Sequence, residues 1–380
     1  MLPTFYQTHL QKQLTLAQLK VMELLLPIIQ AEKQVRLERL TRVFPYPIST
    51  ESRRRKLQRL LDWPSLTINA IWFPLIAYWL TKYCPVGTRV SIAIDRSQWG
   101  RINLFMVSLI WERRAIPLYW SLLPKLGNSN LEEQTTNLEQ VLPLFSEYKV
   151  IVLGDREFCS VDLGNWLMEK GVSFCLRLKK NHCIETEHLV WQRLDQLGIV
   201  PGTSLYFQGK RVRKSRPATG FDLACKWKRN YGGFTVDEAW FILTDLGSLP
   251  AAINAYKQRM GIEEMFRDCK TGGYDLEGTS LKGDRLIKMI LLMTLAYTAA
   301  IFQGTEIRQK QVQKYVSRRK EPKKKYRRRS TFGVGIDGEK WVNYLKQYAE
   351  QVEELMKLSP NKRRFYQQGM RAATLIRSIS

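Results

Sequence analysis

The stretch TRVSIAIDRSQWGRINLFMVSLIWERRAIPLYWSLL, residues 88–123, carries the pattern that decides the predicted fold class. It contains three apolar runs rich in β-branched and aromatic residues, at 88–95, 102–112 and 115–123. Runs of this composition predict β-strands, and the short turns between them favour antiparallel neighbours. We therefore expect a three-stranded meander, with Asp95 at the end of its first strand.

The sequence after this meander alternates between helical and strand patterns. Two helix-like stretches alternate with two strand-like stretches, at 130–148, 149–155, 160–170 and 172–178. The resulting order, β-β-β-α-β-α-β, is the topology of a ribonuclease-H-like sheet of the α/β class. In that topology the first and fourth strands are neighbours. Asp95 and Asp155 would then lie close together, although they are 60 residues apart in the sequence.

The other segments complete the predicted domain organisation. A helical N-terminal region (1–85) precedes a ribonuclease-H-like catalytic core (86–306) with a β-rich insertion at about 180–245. A basic linker (307–334) and a helical C-terminal region (335–380) follow. The run at 308–330 holds twelve basic residues and one glutamate, which is typical of a disordered basic linker and compatible with nonspecific phosphate binding.

The N-terminal region contains a candidate DNA-binding helix. The stretch ISTESRRRKLQRLLDW begins with Ser49 or Thr50 as the N-cap and continues as a basic amphipathic helix. A solvated basic face on an ordinary helix explains the pattern equally well.

Composition favours a polyanionic partner. The chain has 60 Lys and Arg residues against 35 Asp and Glu, a formal net charge of +25, so nucleic acid is the expected partner. The apolar stretches at 71–80 and 289–302 are too short to span a bilayer and predict buried core helices. The first twenty residues lack the pattern of an export signal, so we expect a cytoplasmic protein.

The stretch YKQRMGIEEMFRDCK, residues 256–270, predicts a helix with an unusual polar edge. On a helical wheel Tyr256, Arg259, Glu263 and Lys270 fall within an arc of about 60°. Glu264 projects roughly 100° away from Glu263. One interpretation is a surface helix in which Arg259 pairs with Glu263, a common and mildly stabilising arrangement.

The alternative is that Glu263 completes a metal site. It lies on the helix that would pack across Asp95 and Asp155, and carboxylate oxygens are the ligands that Mg²⁺ prefers. Two such ions stabilise the attacking and leaving oxygens of an in-line phosphoryl displacement.

These residues resemble a known family. Tyr256, Arg259, Glu263 and Lys270 reproduce the Tyr-Arg-Glu-Lys signature of bacterial insertion-sequence DDE transposases of the insertion-sequence-four family. The stretches SIAIDRSQW, GDREF and FCLRLKKN are similar to that family's two aspartate blocks. The resemblance spans about residues 88–300.

The resemblance implies roles for individual residues. Asp95, Asp155 and Glu263 would be the catalytic triad that binds two Mg²⁺ ions, with Mn²⁺ as a substitute. Tyr256, Arg259 and Lys270 would contact DNA phosphates near the cleaved end.

Trp240 resembles a tryptophan that stacks on a flipped base in relatives that pass through a DNA hairpin. A core tryptophan on a strand is the equal alternative.

The implied function is a cut-and-paste DNA transposase. It would cleave double-stranded DNA at the terminal inverted repeats of its element and join the freed 3′-hydroxyl to target DNA, working as a homodimer on the bacterial nucleoid. A ribonuclease-H-like nuclease without strand transfer and a catalytically inactive DNA-binding regulator are the alternatives.

Overall fold

The computed structural model describes residues 3–186, 190–231, 234–235, 237–319 and 329–379. The chain divides into two compact units. One unit comprises Met1–Leu75 together with Arg267–Ser380, and the other comprises Ile76–Phe266.

The N-terminal part of the chain is helical, as predicted. Its helices are α1 (Thr4–Gln13), α2 (Leu16–Glu32), α3 (Leu37–Val43), α4 (Thr50–Leu61) and α5 (Phe73–Tyr83), with a π-helical turn at Ile68–Trp72. Ser49 is the N-cap of α4, because its hydroxyl accepts a hydrogen bond from the backbone N–H of Ser52. This confirms one of the two predicted capping residues.

The predicted element order of the meander and its successors is confirmed. The elements are β1 (Arg89–Trp99), β2 (Ile102–Trp111), β3 (Arg114–Leu122), α6 (Leu131–Glu139), β4 (Lys149–Gly154), α7 (Val161–Glu169) and β5 (Ser173–Arg177). Strands β1, β2 and β3 pair antiparallel, whereas β1, β4 and β5 run parallel.

One predicted boundary is wrong. Strand β1 continues four residues beyond Asp95, because residues up to Trp99 keep pairing with β2. Asp95 therefore lies within a strand and not at its end. The pairing of β1 with β4, by contrast, extends only to Ala93 and Leu153.

In the part of the chain that the structure describes, all but two strands of the predicted β-rich insertion extend the same sheet, and the two at Asn230–Tyr231 and Phe234–Thr235 pair only with each other. Its strands are β6 (Cys183–Glu185), β7 (Trp191–Arg193), β8 (Ser204–Val212), β9 (Ala218–Lys226), β10 (Asn230–Tyr231), β11 (Phe234–Thr235) and β12 (Trp240–Thr244). Within the described residues the large sheet has ten strands in the order β3-β2-β1-β4-β5-β12-β9-β8-β6-β7. Strand β12 pairs antiparallel with β5 and β9, so the insertion returns the chain to the middle of the sheet.

The predicted single helix at about 250–270 is instead two helices, α8 (Leu249–Gln258) and α9 (Met260–Cys269). They meet at Arg259. Its N–H donates to the carbonyl of Tyr256, and the N–H of Ile262 donates to the carbonyl of Arg259, over 3.1 and 2.9 Å. These bonds span three residues, whereas an α-helix spans four, so the helix is tightened at Arg259.

Gly261 lets the start of α9 approach the β2–β3 hairpin. A Cβ at this position would lie 3.2 Å from the side chain of Ile110 and 3.3 Å from the backbone of Arg114. Met265, one turn further along α9, accepts a hydrogen bond at its sulfur from Ser108 of β2.

The C-terminal part of the chain is also helical. It contains α10 (Gly283–Gln309), α11 (Thr331–Gln347), α12 (Ala349–Lys357) and α13 (Arg363–Arg377). Helix α10 is longer than predicted, and at 27 residues it is long and apolar enough to cross a membrane. However, 89% of its most apolar window is buried, and it packs against α2 and α11. It is thus a core helix of its unit, as predicted from the shorter apolar stretch.

The two units differ from the predicted division into domains. Helix α10, assigned to the predicted core, belongs to the same unit as the N-terminal helices. The ends of the predicted basic linker belong to α10 and α11, because these helices reach Gln309 and begin at Thr331. Residues 320–328 of the basic run lie outside the described residues.

Candidate active site

Asp95 lies on β1 and Asp155 directly follows β4, so the two occupy matching positions relative to neighbouring parallel strands. Ala93 of β1 pairs with Leu153 of β4, and each aspartate follows its paired residue by two positions. The predicted proximity of the two aspartates is therefore explained by strand register. Their charges interact, since Asp155 raises the pKa of Asp95.

A backbone hydrogen bond orients each aspartate. The Oδ1 atom of Asp95 accepts the N–H of Arg96 at 2.7 Å. The Oδ1 atom of Asp155 accepts the N–H of Glu157 at 2.8 Å, so Asp155 caps the short 3-10 turn Arg156–Phe158.

Arg259 connects the α8–α9 junction to these strands. Its guanidinium donates to the Oδ2 atom of Asp95 at 3.4 Å and forms a short contact with Glu263. Arg259 and Tyr256 are buried, with only 8% and 4% of their surface exposed. The interpretation of this helix edge as a solvated surface stripe is therefore wrong for these two residues. The pairing of Arg259 with Glu263 does occur, but Asp95 shares the same guanidinium.

The electrostatic balance at Asp95 follows from these neighbours. Burial raises the pKa of Asp95 to about 7, because the charged form loses hydration. The positive charge of Arg259 lowers this pKa, and the negative charges of Asp155 and Glu263 raise it. Both other predicted carboxylates thus act on Asp95, and the nearby positive charge of Arg259 stabilises its ionised form.

The donor set fits a hard divalent cation by its chemistry. Asp95 on β1 and Asp155 just after β4 present carboxylate oxygens, and Glu263 adds a third carboxylate that contacts Arg259. Within the described part of the chain, no group of three or more His, Cys, Asp or Glu side chains is close enough to hold a metal ion. The guanidinium of Arg259 is the cation that contacts both Asp95 and Glu263.

Glu264 takes a different direction from Glu263, as the wheel predicts. Its carboxylate pairs with Arg114, the first residue of β3, over 3.3 Å. This pair fastens α9 to the β2–β3 hairpin.

Lys270 directly follows α9 and belongs to the unit that comprises Met1–Leu75 and Arg267–Ser380. Its ammonium group pairs with Glu277 at 2.8 Å. The predicted contact of Lys270 with DNA stays a prediction.

Trp240 lies beside the buried tyrosine of this site. It begins β12, is half-buried, and meets the ring of Tyr256 edge to face with centroids 5.1 Å apart. The ammonium group of Lys228 lies 5.6 Å from the centroid of Trp240. Partial burial leaves both a packing role and a base-stacking role open to this tryptophan.

Sequence reasoning missed Arg96 and Glu157. They form an ion pair with Nε and Oε1 2.7 Å apart, and both side chains are largely buried. The available signal was their position beside the two predicted aspartates, in AIDRSQW and GDREF. Nothing in the spacing of these stretches indicates that the two side chains meet.

The family comparison agrees with this chemistry. Residues 126–299 match the family model of the transposase DDE domain, a range that includes Asp155 and Glu263. No curated protein matches the chain. The chain is similar to the cryo-EM structure of a piggyBac transposase synaptic complex with hairpin DNA, with 11% identity, a TM-score of 0.38, and coverage of 85% of this chain and 79% of that chain. The match to the family model supports a DDE transposase.

Proposed function

We propose that the protein is a cut-and-paste DNA transposase of the insertion-sequence-four type. It cleaves DNA at the ends of its element and joins the freed 3′-hydroxyl to target DNA. A DNA hairpin intermediate is one route for the cleavage step. The observation that carries the proposal is that one guanidinium, that of Arg259, contacts both Asp95 and Glu263, while Asp155 follows the strand next to that of Asp95 at the matching position. The order of the strands from β3 to β5 supports a ribonuclease-H-like catalytic core.

Asp95, Asp155 and Glu263 would hold the divalent ions, which we expect to be two Mg²⁺ ions with Mn²⁺ as a substitute. Bound there, the ions supply Lewis-acid stabilisation of the attacking and leaving oxygens. The protein contributes the orientation of the carboxylates. The backbone N–H groups of Arg96 and Glu157 occupy one oxygen of each aspartate, so each side chain is held in one rotamer.

Arg259 has a second proposed role as a phosphate ligand. Its guanidinium would leave Asp95 and Glu263 when these carboxylates bind a divalent cation, because like charges repel and the carboxylates then receive their positive charge from the metal. Released from the carboxylates, the planar guanidinium is suited to a phosphate oxygen pair. The ring of Tyr256 packs near Arg259, since the Arg259 guanidinium carbon lies 6.0 Å from the centre of the Tyr256 ring.

Other parts of the chain would bind the rest of the DNA. Lys270 is the proposed second phosphate ligand, and Trp240 is the proposed stacking partner of a flipped base. The basic helix α4 and the basic run at 308–330 would contact the duplex backbone, which fits the net charge of +25. We further propose a homodimer that holds both element ends, acting on DNA of the bacterial nucleoid.

The test is an incubation of the purified protein with Mg²⁺, DNA carrying the flanking ends of its own element, and a target plasmid. Discrete cleavage at the ends together with joined products supports the transposase. Cleavage without joined products favours a nuclease without strand transfer. Binding without cleavage favours an inactive DNA-binding regulator. An Asp155→Asn variant is the control, because it keeps the size of the side chain and removes its charge.

A further inference from the structure

Arg96 and Glu157 form an ion pair that links the two aspartate-bearing segments. The Nε–Oε1 distance is 2.7 Å, and the side chains are only 13% and 15% exposed. Arg96 directly follows Asp95 on β1, and Glu157 follows Asp155 by two residues in the turn after β4. The same two residues donate the backbone hydrogen bonds that orient Asp95 and Asp155.

The pair lies on the opposite face of the sheet from Asp95. Successive side chains of a strand point to opposite faces, so Arg96 projects away from the face on which Asp95 meets Arg259. Phe105, which pairs with Arg96 in the register of β1 and β2, packs edge to face against Phe158 with centroids 5.7 Å apart. Arg96 therefore acts on the aspartates through the backbone.

Further hydrogen bonds fix Arg96 in this position. Its Nη1 atom donates to Gln98 at 3.0 Å and to Asn103 at 2.9 Å. Asn103 is 1% exposed and donates through its amide to the carbonyls of Lys125 and Gly127, at 2.6 and 3.0 Å. The network thus ties β1, β2 and the loop before α6 together.

Glu157 is fixed to the same loop. Its Oε1 atom also accepts hydrogen bonds from the backbone N–H and the hydroxyl of Ser129, at 3.3 and 3.4 Å. A buried ion pair is costly to desolvate, and its benefit to folding is small unless every group is hydrogen-bonded. Here the surrounding bonds hold both charges, so the geometry of the pair is closely defined.

We propose that Arg96 and Glu157 are positioning residues, which set the spacing and orientation of Asp95 and Asp155 for divalent-cation binding from behind the sheet. This inference rests on the proposed function. Loss of the ion pair frees the turn after β4 from β1, and the two carboxylates then lose their common register. Groups that orient metal ligands in this way contribute about 10- to 100-fold to metal affinity or activity.

The experiment compares Glu157→Gln with Glu185→Gln in the full-length chain. Both changes remove one carboxylate charge from an ion pair with an arginine on the same sheet. Glu185 of β6 pairs with Arg211 of β8 at 3.1 Å, far along the strand order from β1. Mn²⁺ binding without DNA is measured by calorimetry, thermal unfolding is recorded for each variant, and end cleavage is measured as a function of Mg²⁺ concentration.

We expect Glu157→Gln to weaken Mn²⁺ binding by about 10-fold or more and to raise the Mg²⁺ concentration for half-maximal cleavage by a similar factor. Glu185→Gln should match wild type in both measurements. Wild-type Mn²⁺ affinity in Glu157→Gln overturns the positioning role. If wild-type protein neither binds Mn²⁺ nor cleaves, the proposed function fails together with this inference, whereas active wild type with an unaffected variant refutes this inference alone.

A second variant covers the case in which Glu157→Gln does not fold. Arg96→Lys keeps the positive charge beside Glu157 but loses the fork that also reaches Gln98 and Asn103. Weakened Mn²⁺ binding by folded Arg96→Lys supports the inference, and unchanged binding overturns it.

Discussion

The guanidinium of Arg259 donates to the carboxylate of Asp95 across 3.4 Å, joining the α8–α9 junction to strand β1. The two side chains are 10% and 15% exposed, so little water screens this contact. Arg259 shares its charge with Glu263 as well. A divalent cation at this site and the guanidinium of Arg259 would therefore compete for the same carboxylate oxygens. Removing Arg259 should then have opposite effects on metal binding and on catalysis.

Arg259→Ala is expected to strengthen metal binding while it lowers cleavage. The variant removes the competing cation from Asp95 and Glu263, so Mn²⁺ should bind more tightly in calorimetry without DNA. It also removes the proposed phosphate ligand, so single-turnover cleavage at saturating protein should be slower. Lys270→Ala is the control: cleavage should fall while Mn²⁺ affinity stays at the wild-type value. Weaker Mn²⁺ binding by Arg259→Ala would count against competition between the two cations.

Arg259→Lys tests the geometry of the proposed phosphate contact. Lysine keeps the charge but lacks the planar fork that donates two parallel hydrogen bonds to a phosphate. We expect a clear loss of single-turnover cleavage rate with nearly unchanged DNA affinity. A wild-type rate would reduce Arg259 to a partner of the carboxylates.

Single substitutions of Asp95, Asp155 or Glu263 by Ala should abolish cleavage and leave DNA binding largely intact, because these side chains hold metal and not the duplex. Glu264→Gln is the matched control on the same helix. Its carboxylate pairs with Arg114, so the variant should retain cleavage and lose at most some stability. Loss of cleavage in Glu264→Gln with robust cleavage in Glu263→Ala would show that the assignment of the ligand on α9 is wrong.

Gly304→Ala and Gly335→Ala should destabilise the crossing of α10 and α11. A Cβ on Gly304 would overlap the carbonyl oxygen of Thr331, and one on Gly335 would overlap that of Ala300. Overpacking of this kind costs about 1–3 kcal/mol and sometimes more. The free energy of unfolding, measured in urea, should fall for both variants. Gly369→Ala on α13 is the control, because outside its own stretch of helix no atom lies within 4 Å of the added Cβ, and alanine there should be neutral or stabilising.

The basic run should supply part of the nonspecific DNA affinity. We expect substitution of Lys323, Lys324, Lys325, Arg327 and Arg328 by Gln to weaken binding to unrelated duplex DNA. The slope of log affinity against log salt should decrease by about 0.9 for each phosphate that the variant no longer neutralises. Binding isotherms at several salt concentrations measure this slope. An unchanged slope would exclude the run from DNA binding.

Much of the strand framework was predictable from the sequence. The apolar runs of β1 to β5 and the helices between them carry their periodicity locally, so the order of elements follows from short windows of residues. The proximity of Asp95 and Asp155 followed from that order, because parallel neighbours bring equivalent positions together. The helical wheel likewise separated Glu263 from Glu264 correctly, since both lie within the regular part of α9.

Tertiary structure decided which polar residues are buried and what they contact. The helical periodicity of residues 256–270 predicts neither the break at Arg259 nor the burial of Tyr256, because a helical wheel contains no residue from another element. Asp95 is 164 residues away from Arg259 in the sequence, and Glu157 is 61 residues away from Arg96. Local periodicity determines which way a side chain points along its own helix or strand. These ion pairs depend instead on the packing of distant segments. That packing excludes water, so screening is weak and each buried charge needs an oppositely charged partner.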